Sequence, residues 1–401
     1  MNQRVFITGH GIITSIGNNV EENYQSLLQR RHGFGEISIL DTMHKSSLPC
    51  CEIKLHDSDL KDLAKVSGKG LTRTTLLGLI ALREAMRSAS MTSDEIQQAG
   101  LISATTTGGV REFERFFYEI LDLRQQGEFL QFTDTANPGE HCERMAEEVG
   151  IRKFIATLST ACSSSANAIM HGAALIKSNR LNHVICGGTE ALSKFTINGF
   201  HALMILDPAH CRPFDQTRKG LNLGEGAAYL VLESEAAVVK SGKKPLAELK
   251  GYGNANDAFH QTASSPEGTG AWEAMRLAMS MAEVKTSAVD YVNAHGTATE
   301  NNDLSEGTGL KRLFGEYLPP FSSTKPYTGH TLAAAGSIEA LYSILAISRN
   351  VIWPSLNFHT PIPELDIVPV RTLQEGVPLR NVLSNSFGFG GNTSSLLMAA
   401  V

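Results

Sequence analysis

Cysteine, excess positive charge and long apolar runs are all scarce in this chain of 401 residues. Its 6 cysteines are too few for the disulfide framework of small secreted domains, and no pair has metal-ligand spacing. The formal charge of −6 gives no indication of a nucleic acid partner. No apolar run approaches the roughly 18 residues of a membrane span, and the first residues lack the pattern of a secretion signal. We therefore expect a cytoplasmic protein that contacts neither membrane nor nucleic acid and binds no metal.

What the chain does contain is glycine and a moderate apolar fraction. It has 36 glycines, 42% hydrophobic residues and 19% charged residues, which is typical of an α/β enzyme and unlike a disordered or coiled-coil chain. Its length allows about two to three domains and a large buried core.

A weak internal duplication predicts how the fold is organised. Four segments of the first half are repeated in order in the second: 71–90 by 271–281, 101–109 by 291–299, 158–162 by 321–325, and 183–188 by 382–386. Each has the same succession of helix pattern, strand pattern and small-residue turn. We expect two similar halves about a pseudo-twofold axis, with mainly parallel, covered sheets and reactive loops that converge between the halves.

The two halves are predicted to span 1–245 and 246–401. The polar turn at 241–245, Ser-Gly-Lys-Lys-Pro, follows a helix pattern and is the natural boundary. Residues 110–150 fall outside the duplication, and we expect an insertion that shapes a pocket or a subunit contact. One helix is predicted over 111–118, and a second should begin at Asn137-Pro138 and end at Gly150.

Cys162 is the residue with the clearest chemical implication. It lies in the motif 159–165, Ser-Thr-Ala-Cys-Ser-Ser-Ser, between the apolar run 154–158 and a helix pattern at 166–170. A strand that turns sharply into a helix should expose this side chain at the helix N-terminus, where unpaired N–H groups and the helix dipole favour an anion. The thiol is then expected to ionise below its free pKa of about 8.5 and to act as a nucleophile. The alternative is an inert, buried cysteine.

Four loops with reactive side chains resemble one family when they are taken together. They are the nucleophile loop, the loop His295-Gly296-Thr297, the segment with Lys325 and His330, and the loop 385–391, Asn-Ser-Phe-Gly-Phe-Gly-Gly. In this order they resemble the β-ketoacyl-[acyl carrier protein] synthases, type II condensing enzymes of the thiolase-like superfamily. The resemblance extends from Val5 to the last glycine-rich loop.

This resemblance implies both a fold and a reaction. The fold is an internally duplicated α/β structure of five layers, αβαβα, with mixed and parallel sheets. The reaction is acyl transfer followed by decarboxylative Claisen condensation, in which an acyl group on cysteine is joined to a malonyl thioester. It serves fatty-acid or related polyketide or polyene chain elongation.

The chemistry of condensation explains why these residue types are present. An acyl group must be held as an activated thioester, which requires the thiolate of Cys162. A carbanion must form without strong base, which requires donors that stabilise negative charge on a thioester oxygen as carbon dioxide leaves. By the resemblance, His295 and His330 supply these donors as neutral imidazoles, each of which donates one N–H.

The resemblance also implies supporting roles for five further residues. Lys325 hydrogen-bonds within the site and biases its charge, and Glu306 organises the lysine and histidine loops. The ring of Phe389 gates the acyl pocket, and its backbone N–H forms an oxyanion hole with that of the nucleophile. Thr297 and Thr299 hydrogen-bond the phosphopantetheine arm that carries the substrates, so no separate cofactor is expected.

An acyl carrier protein is the partner that the resemblance implies. Carrier proteins are acidic, so the docking surface should be basic, and Lys61, Lys65, Lys69 and Arg73 are candidates. A run of this kind is also typical of a solvated helix face. The family further implies a homodimer, with a heterodimer of this chain and a related subunit as the alternative.

Three departures from the family pattern bear on the substrate. The final motif ends Asn392-Thr393, where the family has Thr then Asn, and 300–302, Glu-Asn-Asn, replaces a more apolar turn that contains glycine. The serines at 163–165 resemble polyketide-type ketosynthases. A specialised polyketide or polyene chain is therefore an alternative to a housekeeping fatty acid.

Two other functions share this fold but do not fit these residues. A thiolase requires a second cysteine in the C-terminal loop, and no cysteine follows Cys211. A non-catalytic partner that sets chain length for another ketosynthase typically loses the nucleophile, whereas this chain keeps Cys162 and both histidines. An elongating condensing enzyme is thus the first hypothesis.

Overall fold

Twelve strands and fourteen α-helices lie within residues 3–122 and 124–401, which the computed structural model describes. The strands are β1 (Val5–Thr14), β2 (Gly100–Ala104), β3 (Phe154–Leu158), β4 (His183–Glu190), β5 (Gly226–Ser234), β6 (Ala247–Asn256), β7 (Tyr291–Asn293), β8 (Phe321–Ser322), β9 (Val351–Ile352), β10 (Gln374–Glu375), β11 (Asn381–Phe387) and β12 (Asn392–Ala399).

The α-helices alternate with these strands in both halves. They are α1 (Val20–Leu28), α2 (Asp57–Ala64), α3 (Arg73–Ser88), α4 (Ser93–Gln98), α5 (Val110–Arg115), α6 (Phe117–Leu121), α7 (Glu140–Val149), α8 (Ser164–Lys177), α9 (Lys194–Ala202), α10 (Glu235–Ser241), α11 (Thr269–Ala282), α12 (Glu300–Phe314), α13 (Lys325–Thr328) and α14 (Ala335–Arg349). Short 3₁₀ turns cover Glu128–Ala136, Thr286–Ala288, Gly315–Tyr317, Leu332–Ala334 and Phe389–Gly391.

Ten strands form one sheet whose order repeats across its centre. The order is β3-β2-β4-β5-β1-β6-β12-β11-β7-β8. The five strands that begin at β6 reproduce the pairing directions of the five that end at β1. The halves meet where Phe6 and Ile7 pair with Glu248 and Ala247 in antiparallel register. The predicted duplication is confirmed. The sheet is mixed rather than mainly parallel, because parallel pairs occur only among the outer strands of each half.

Alternating side chains along the strands allow helices to cover both faces of each half. On β5, Leu230 and Leu232 face a central core, whereas Tyr229 and Val231 face an outer core. This period of two is what a strand covered on both faces requires. Helices α8 and α14 pack together in the central layer, while α3 and α11 cover the outer faces of the first and second halves. The five predicted layers are therefore present.

The central helix is the most apolar long segment of the described residues. Residues 332–349 are long and apolar enough to cross a membrane by composition, but 89% of that window is buried inside the protein. The expectation that no run approaches this length is wrong for this segment. Helix α14 contacts strands of both halves, so its whole circumference needs apolar side chains.

The predicted insertion is shorter than the sequence indicates. Helix α7 packs on α3 as α12 packs on α11, so α7 belongs to the duplication and only 110–136 lacks a counterpart. The single helix predicted over 111–118 is two helices, α5 and α6, because the backbone breaks at Phe116, where φ is −108°. Helix α7 ends at Gly150 as predicted, with a left-handed φ of 84°. The boundary predicted at 245/246 lies in the connection between α10 and β6 and stays a prediction.

Arg73, one of the four candidate docking residues, lies in the core. Its guanidinium is fully buried and donates to Glu225 at 2.7 Å and to Asp57 at 2.9 Å. It also donates to the backbone carbonyl oxygens of Leu55 and Ile53. A buried guanidinium requires this degree of pairing, so the docking prediction is wrong for Arg73. Its positive charge compensates the buried carboxylate of Glu225 instead.

Candidate active site

A cavity of about 340 Å³ between the two halves collects most of the predicted site residues. The first half contributes the nucleophile, and the second half contributes the histidines, the threonines and the glycine-rich loop. The predicted residues in its lining are Cys162, His295, Thr297, Thr299, His330 and Phe389. The other two predicted residues, Lys325 and Glu306, are buried behind this lining and contact it.

Cys162 lies at a sharp bend between β3 and α8. The preceding Ala161 has a φ of 53°, a left-handed conformation that a residue other than glycine adopts only when its surroundings impose it. The backbone N–H of Thr160 donates to Ser164 Oγ at 2.8 Å across the bend. The predicted strand-to-helix turn is present, but the Cys162 side chain is only 5% exposed, so the expectation of an exposed thiol is wrong.

Burial also reverses the expected ionisation of this thiol. Desolvation raises the pKa of Cys162 to about 12. The charge of Lys325 and the backbone N–H of Phe389 lower this pKa, while Glu190 and Glu339 raise it further. The low pKa expected from the helix N-terminus is therefore wrong, because the cost of burying a thiolate is larger than these favourable interactions. The thiol is protonated at rest, and nucleophilic attack requires a proton acceptor within the cavity.

Lys325 fixes which nitrogen of His295 carries the proton. Its ammonium group has three N–H bonds, and it donates to His295 Nδ1 at 3.1 Å, to the His295 carbonyl oxygen at 2.5 Å and to the carboxylate of Glu339. Because Nδ1 accepts a hydrogen bond, the ring proton of neutral His295 resides on Nε2. The ring thus has one N–H free to donate.

Both imidazoles are held neutral by their surroundings. Burial lowers the pKa of His295 and of His330 well below the ordinary value, and the charge of Lys325 lowers both further. The rings pack edge to face with their centroids 5.3 Å apart. The His330 backbone donates to the Asn222 carbonyl oxygen at 2.7 Å and accepts from the Gly224 N–H at 3.0 Å. Two neutral imidazoles, as the sequence predicts, therefore share the cavity with the thiol.

Glu306 contacts the histidine loop, as the sequence predicts, but not the lysine loop. Its carboxylate accepts from the backbone N–H groups of His295 and Gly296 at 2.9 and 2.8 Å, and from Asn385 Nδ2 at 3.0 Å. Burial raises its pKa to about 7. It thus joins the histidine loop to the last strand before the glycine-rich loop. The expected contact with the lysine loop belongs to Glu339 instead, the only charged residue in the apolar stretch 335–347.

Gly388 allows the last loop to reach the nucleophile. A Cβ atom at this position would lie 2.7 Å from the Thr160 carbonyl oxygen and 3.2 Å from the Cys162 backbone nitrogen. Only glycine accommodates so close an approach of two backbones. The next residue, Phe389, then brings its N–H to the thiol of Cys162. That the backbone N–H groups of these two residues form an oxyanion hole stays a prediction.

Two features of the cavity have no sequence-based prediction. Phe200, near the end of α9, stacks on Phe389 with ring centroids 5.8 Å apart and planes 17° from parallel, and no local pattern distinguishes it from other aromatic residues. Asn301 accepts from the Ser264 N–H at 2.7 Å and donates to the Ser264 carbonyl oxygen at 2.9 Å. These two bonds hold the segment around Ser264 against the cavity lining.

The two predicted threonines lie side by side in the same lining. The hydroxyls of Thr297 and Thr299 are 2.9 Å apart.

The chain is similar to condensing enzymes along its whole length. Residues 2–237 match the family described as "Beta-ketoacyl synthase, N-terminal domain", and residues 246–359 match the corresponding C-terminal domain. A 3-oxoacyl-[acyl-carrier-protein] synthase 2 of Staphylococcus aureus is 33% identical over 407 residues, which cover 99% of this chain and 98% of that protein.

Two solved structures have the same fold over the full chain. The ishigamide ketosynthase/chain length factor has a TM-score of 0.92 and 29% identity, with 100% of both chains covered. A type II polyketide synthase acyl-carrier protein in complex with its ketosynthase has a TM-score of 0.89 and 25% identity, also with 100% of both chains covered.

Proposed function

The chain belongs to the β-ketoacyl synthase family, and from this premise we propose that it elongates acyl chains as a β-ketoacyl-[acyl carrier protein] synthase. It joins an acyl group held on Cys162 to malonyl-acyl carrier protein with loss of carbon dioxide. The observation that carries the proposal is one cavity that contains the thiol and two neutral imidazoles. The six free cysteines fit a reducing cytoplasm as the compartment.

The first step transfers the acyl group to the enzyme. His295 has no free ring nitrogen, because Nδ1 accepts from Lys325 and Nε2 carries the proton. His330 is the other imidazole in the cavity lining, so it accepts the thiol proton as the sulfur attacks the thioester carbon. The N–H groups of Cys162 and Phe389 stabilise the oxyanion. The carrier thiolate then leaves and takes up the proton.

The second step forms the new carbon–carbon bond. A malonyl thioester in the same cavity places its carbonyl oxygen against the N–H donors of His295 and His330. Carbon dioxide leaves, and its bonding electrons form an enolate that attacks the acyl carbon on Cys162. The cysteine thiolate is released and regains a proton from water. Thr297 and Thr299 line the cavity where they can hydrogen-bond the phosphopantetheine arm.

The carrier protein docks, in this proposal, on the lysines around α2. Lys65 and Lys69 are exposed and Lys61 is partly buried, so three of the four candidate cations face solvent. Long-range attraction between these cations and an acidic carrier would speed association and weaken with added salt. The solved complex of a ketosynthase with its acyl-carrier protein supports this class of partner.

Acylation of the wild-type chain tests the proposed function. Incubation with acyl carrier-protein thioesters of different length and unsaturation should add one acyl mass to Cys162, located by mass spectrometry of peptides. Addition of malonyl carrier protein should then release the β-ketoacyl product. An adduct on another residue would contradict the proposal, and so would the absence of an adduct with every acyl group tested. The acyl group that reacts fastest distinguishes a fatty-acid substrate from a specialised polyketide or polyene substrate.

We propose that two copies of the chain form a dimer by pairing along the outer sheet edge of the first half. Strand β3 is the terminal strand of the sheet, its side chains are only partly buried, and Ile155 is 40% exposed. An apolar sheet edge of this kind is a template for pairing with another strand. The nearby insertion also exposes large apolar side chains, Tyr118 at 81% and Leu121 at 62%.

Light scattering on the purified chain tests this dimer. The expected mass is twice the 43.3 kDa of one chain, and Ile155→Glu should give the single-chain mass, because it places a charge in the paired edge. A wild-type chain that stays monomeric alone and dimerises only with a related subunit would favour the heterodimer, the assembly named for the ishigamide ketosynthase/chain length factor. A monomer under both conditions would contradict both assemblies.

A further inference from the structure

Asn392, where this chain departs from the family order, contacts three segments behind the nucleophile through its side chain. Its side-chain oxygen accepts from Asn167 Nδ2 at 2.9 Å and from Asn254 Nδ2 at 3.0 Å. It also lies 2.7 Å from Ser163 Oγ, whose one O–H it shares with the Thr160 carbonyl oxygen at 2.8 Å. These donors come from the nucleophile turn, from α8 and from β6. An amide oxygen has two lone pairs, so the two amide donors alone use its full capacity.

The backbone of the same residue holds the glycine-rich loop. The Asn392 carbonyl oxygen accepts from the Gly388 N–H at 2.8 Å. One residue therefore fixes the loop through its main chain and the nucleophile turn through its side chain. Ser163, the donor on the nucleophile side, follows Cys162 directly, and Gly388 directly precedes Phe389. The two N–H groups of the oxyanion hole are thus each one residue away from an Asn392 contact.

The loop needs this support because its own backbone is permissive. Gly390 and Gly391 have φ values of 82° and 80°, and glycine moves readily between such conformations. The far end of the loop is held by Asn256, which donates to the Gly390 carbonyl oxygen at 2.9 Å, and by the Gln261 carbonyl oxygen, which accepts from the Gly390 N–H at 2.7 Å. Asn392 holds the end that faces the thiol.

We propose that Asn392 is a positioning residue for the oxyanion hole of this chain. It sets the distance between the N–H groups of Cys162 and Phe389 by holding one loop through its main-chain carbonyl and the other through its side-chain amide. The inference rests on the proposed acyl transfer at Cys162 and adds a residue-specific requirement to it. Acyl transfer develops negative charge on oxygen and needs both donors, whereas alkylation of the thiol develops none.

Asn392→Ala separates these two reactions. With saturating acyl thioester, the acylation rate of Cys162 should fall about 10-fold or more, since a displaced donor loses much of its stabilisation of the oxyanion. The half-saturating thioester concentration should change less than about threefold, because substrate binding uses other residues. Alkylation of Cys162 by iodoacetamide should also change less than about threefold, because it needs the thiol without the oxyanion hole.

Ser394→Ala is the matched control. Ser394 forms hydrogen bonds with Asn254 and Asn167 in the same cluster but with neither Ser163 nor Gly388. The rate at which Cys162 is acylated in this variant should therefore stay within about twofold of wild type.

Three outcomes would overturn the inference. Acylation of Asn392→Ala at the wild-type rate would show that the residue is dispensable. An equal loss of acylation and alkylation would show that it maintains the fold or the thiol rather than the oxyanion hole. A wild-type chain that is alkylated but never acylated would overturn the proposed function, and this inference with it.

Discussion

Cys162→Ala is expected to abolish acyl transfer and condensation, with a loss of at least about 10⁴-fold. In the part of the chain that the structure describes, Cys162 is the one cysteine in the cavity lining, so no second thiol can accept the acyl group. Alanine leaves both imidazoles and the oxyanion hole in place but removes the atom that forms the thioester. The absence of an acyl adduct by intact-protein mass spectrometry, together with the absence of β-ketoacyl product, checks this result.

A second substitution at the same position separates the two half-reactions. Cys162→Gln should release carbon dioxide from malonyl carrier protein without forming a condensed product, because decarboxylation depends on the N–H donors of His295 and His330 rather than on sulfur. Cys142→Ala is the control: Cys142 is a buried cysteine of α7 outside the cavity, and its removal should leave both activities intact. Acylation that persists in Cys162→Ala would disprove the assignment of the nucleophile.

Lys325→Ala is expected to reduce decarboxylation about 10²- to 10³-fold, the range observed when one preorganised donor is lost. Without Lys325, no ammonium donates to His295 Nδ1, and the ring proton is free to move to that nitrogen. Nε2 then becomes an acceptor and repels a developing enolate. Acyl transfer should fall less, because its oxyanion is stabilised by backbone N–H groups. Carbon dioxide release and acyl adduct formation, measured on the same preparation, provide the comparison.

Stability must be controlled in this experiment, since Lys325 also pairs with a buried carboxylate. Removal of one partner of a buried ion pair costs about 3–5 kcal/mol, and Glu339 is 2% exposed. The double variant Lys325→Ala/Glu339→Gln removes the unpaired charge, so it should melt near the wild-type temperature while decarboxylation stays low. Lys311→Ala, which removes a lysine bound to the Leu365 carbonyl oxygen away from the cavity, should be fully active. Decarboxylation that recovers in the double variant would contradict the positioning role of Lys325.

Features that depend on neighbouring residues can be predicted from the sequence. Apolar periodicity predicts the repeated strands and helices because each pattern reflects the covering of one local face. The small-residue turn around Cys162 and the glycine of the last loop predict where the chain bends. The order of the reactive loops is sufficient to indicate the family and its reaction, because residue type and spacing are properties of the chain alone.

Features that depend on distant contacts and burial become visible in the folded chain. The thiol of Cys162 has a raised pKa rather than a lowered one, because its burial is set by residues distant in the chain, among them Leu48, Leu223 and Leu332, that pack around it. Arg73 is a core residue because Glu225, 152 residues away, brings a carboxylate to it. Glu339 rather than Glu306 binds Lys325, because the packing of α14 in the central layer brings its carboxylate to the ammonium group. Free energies of desolvation and ion pairing depend on the whole packed environment, and no local pattern in a sequence contains that environment.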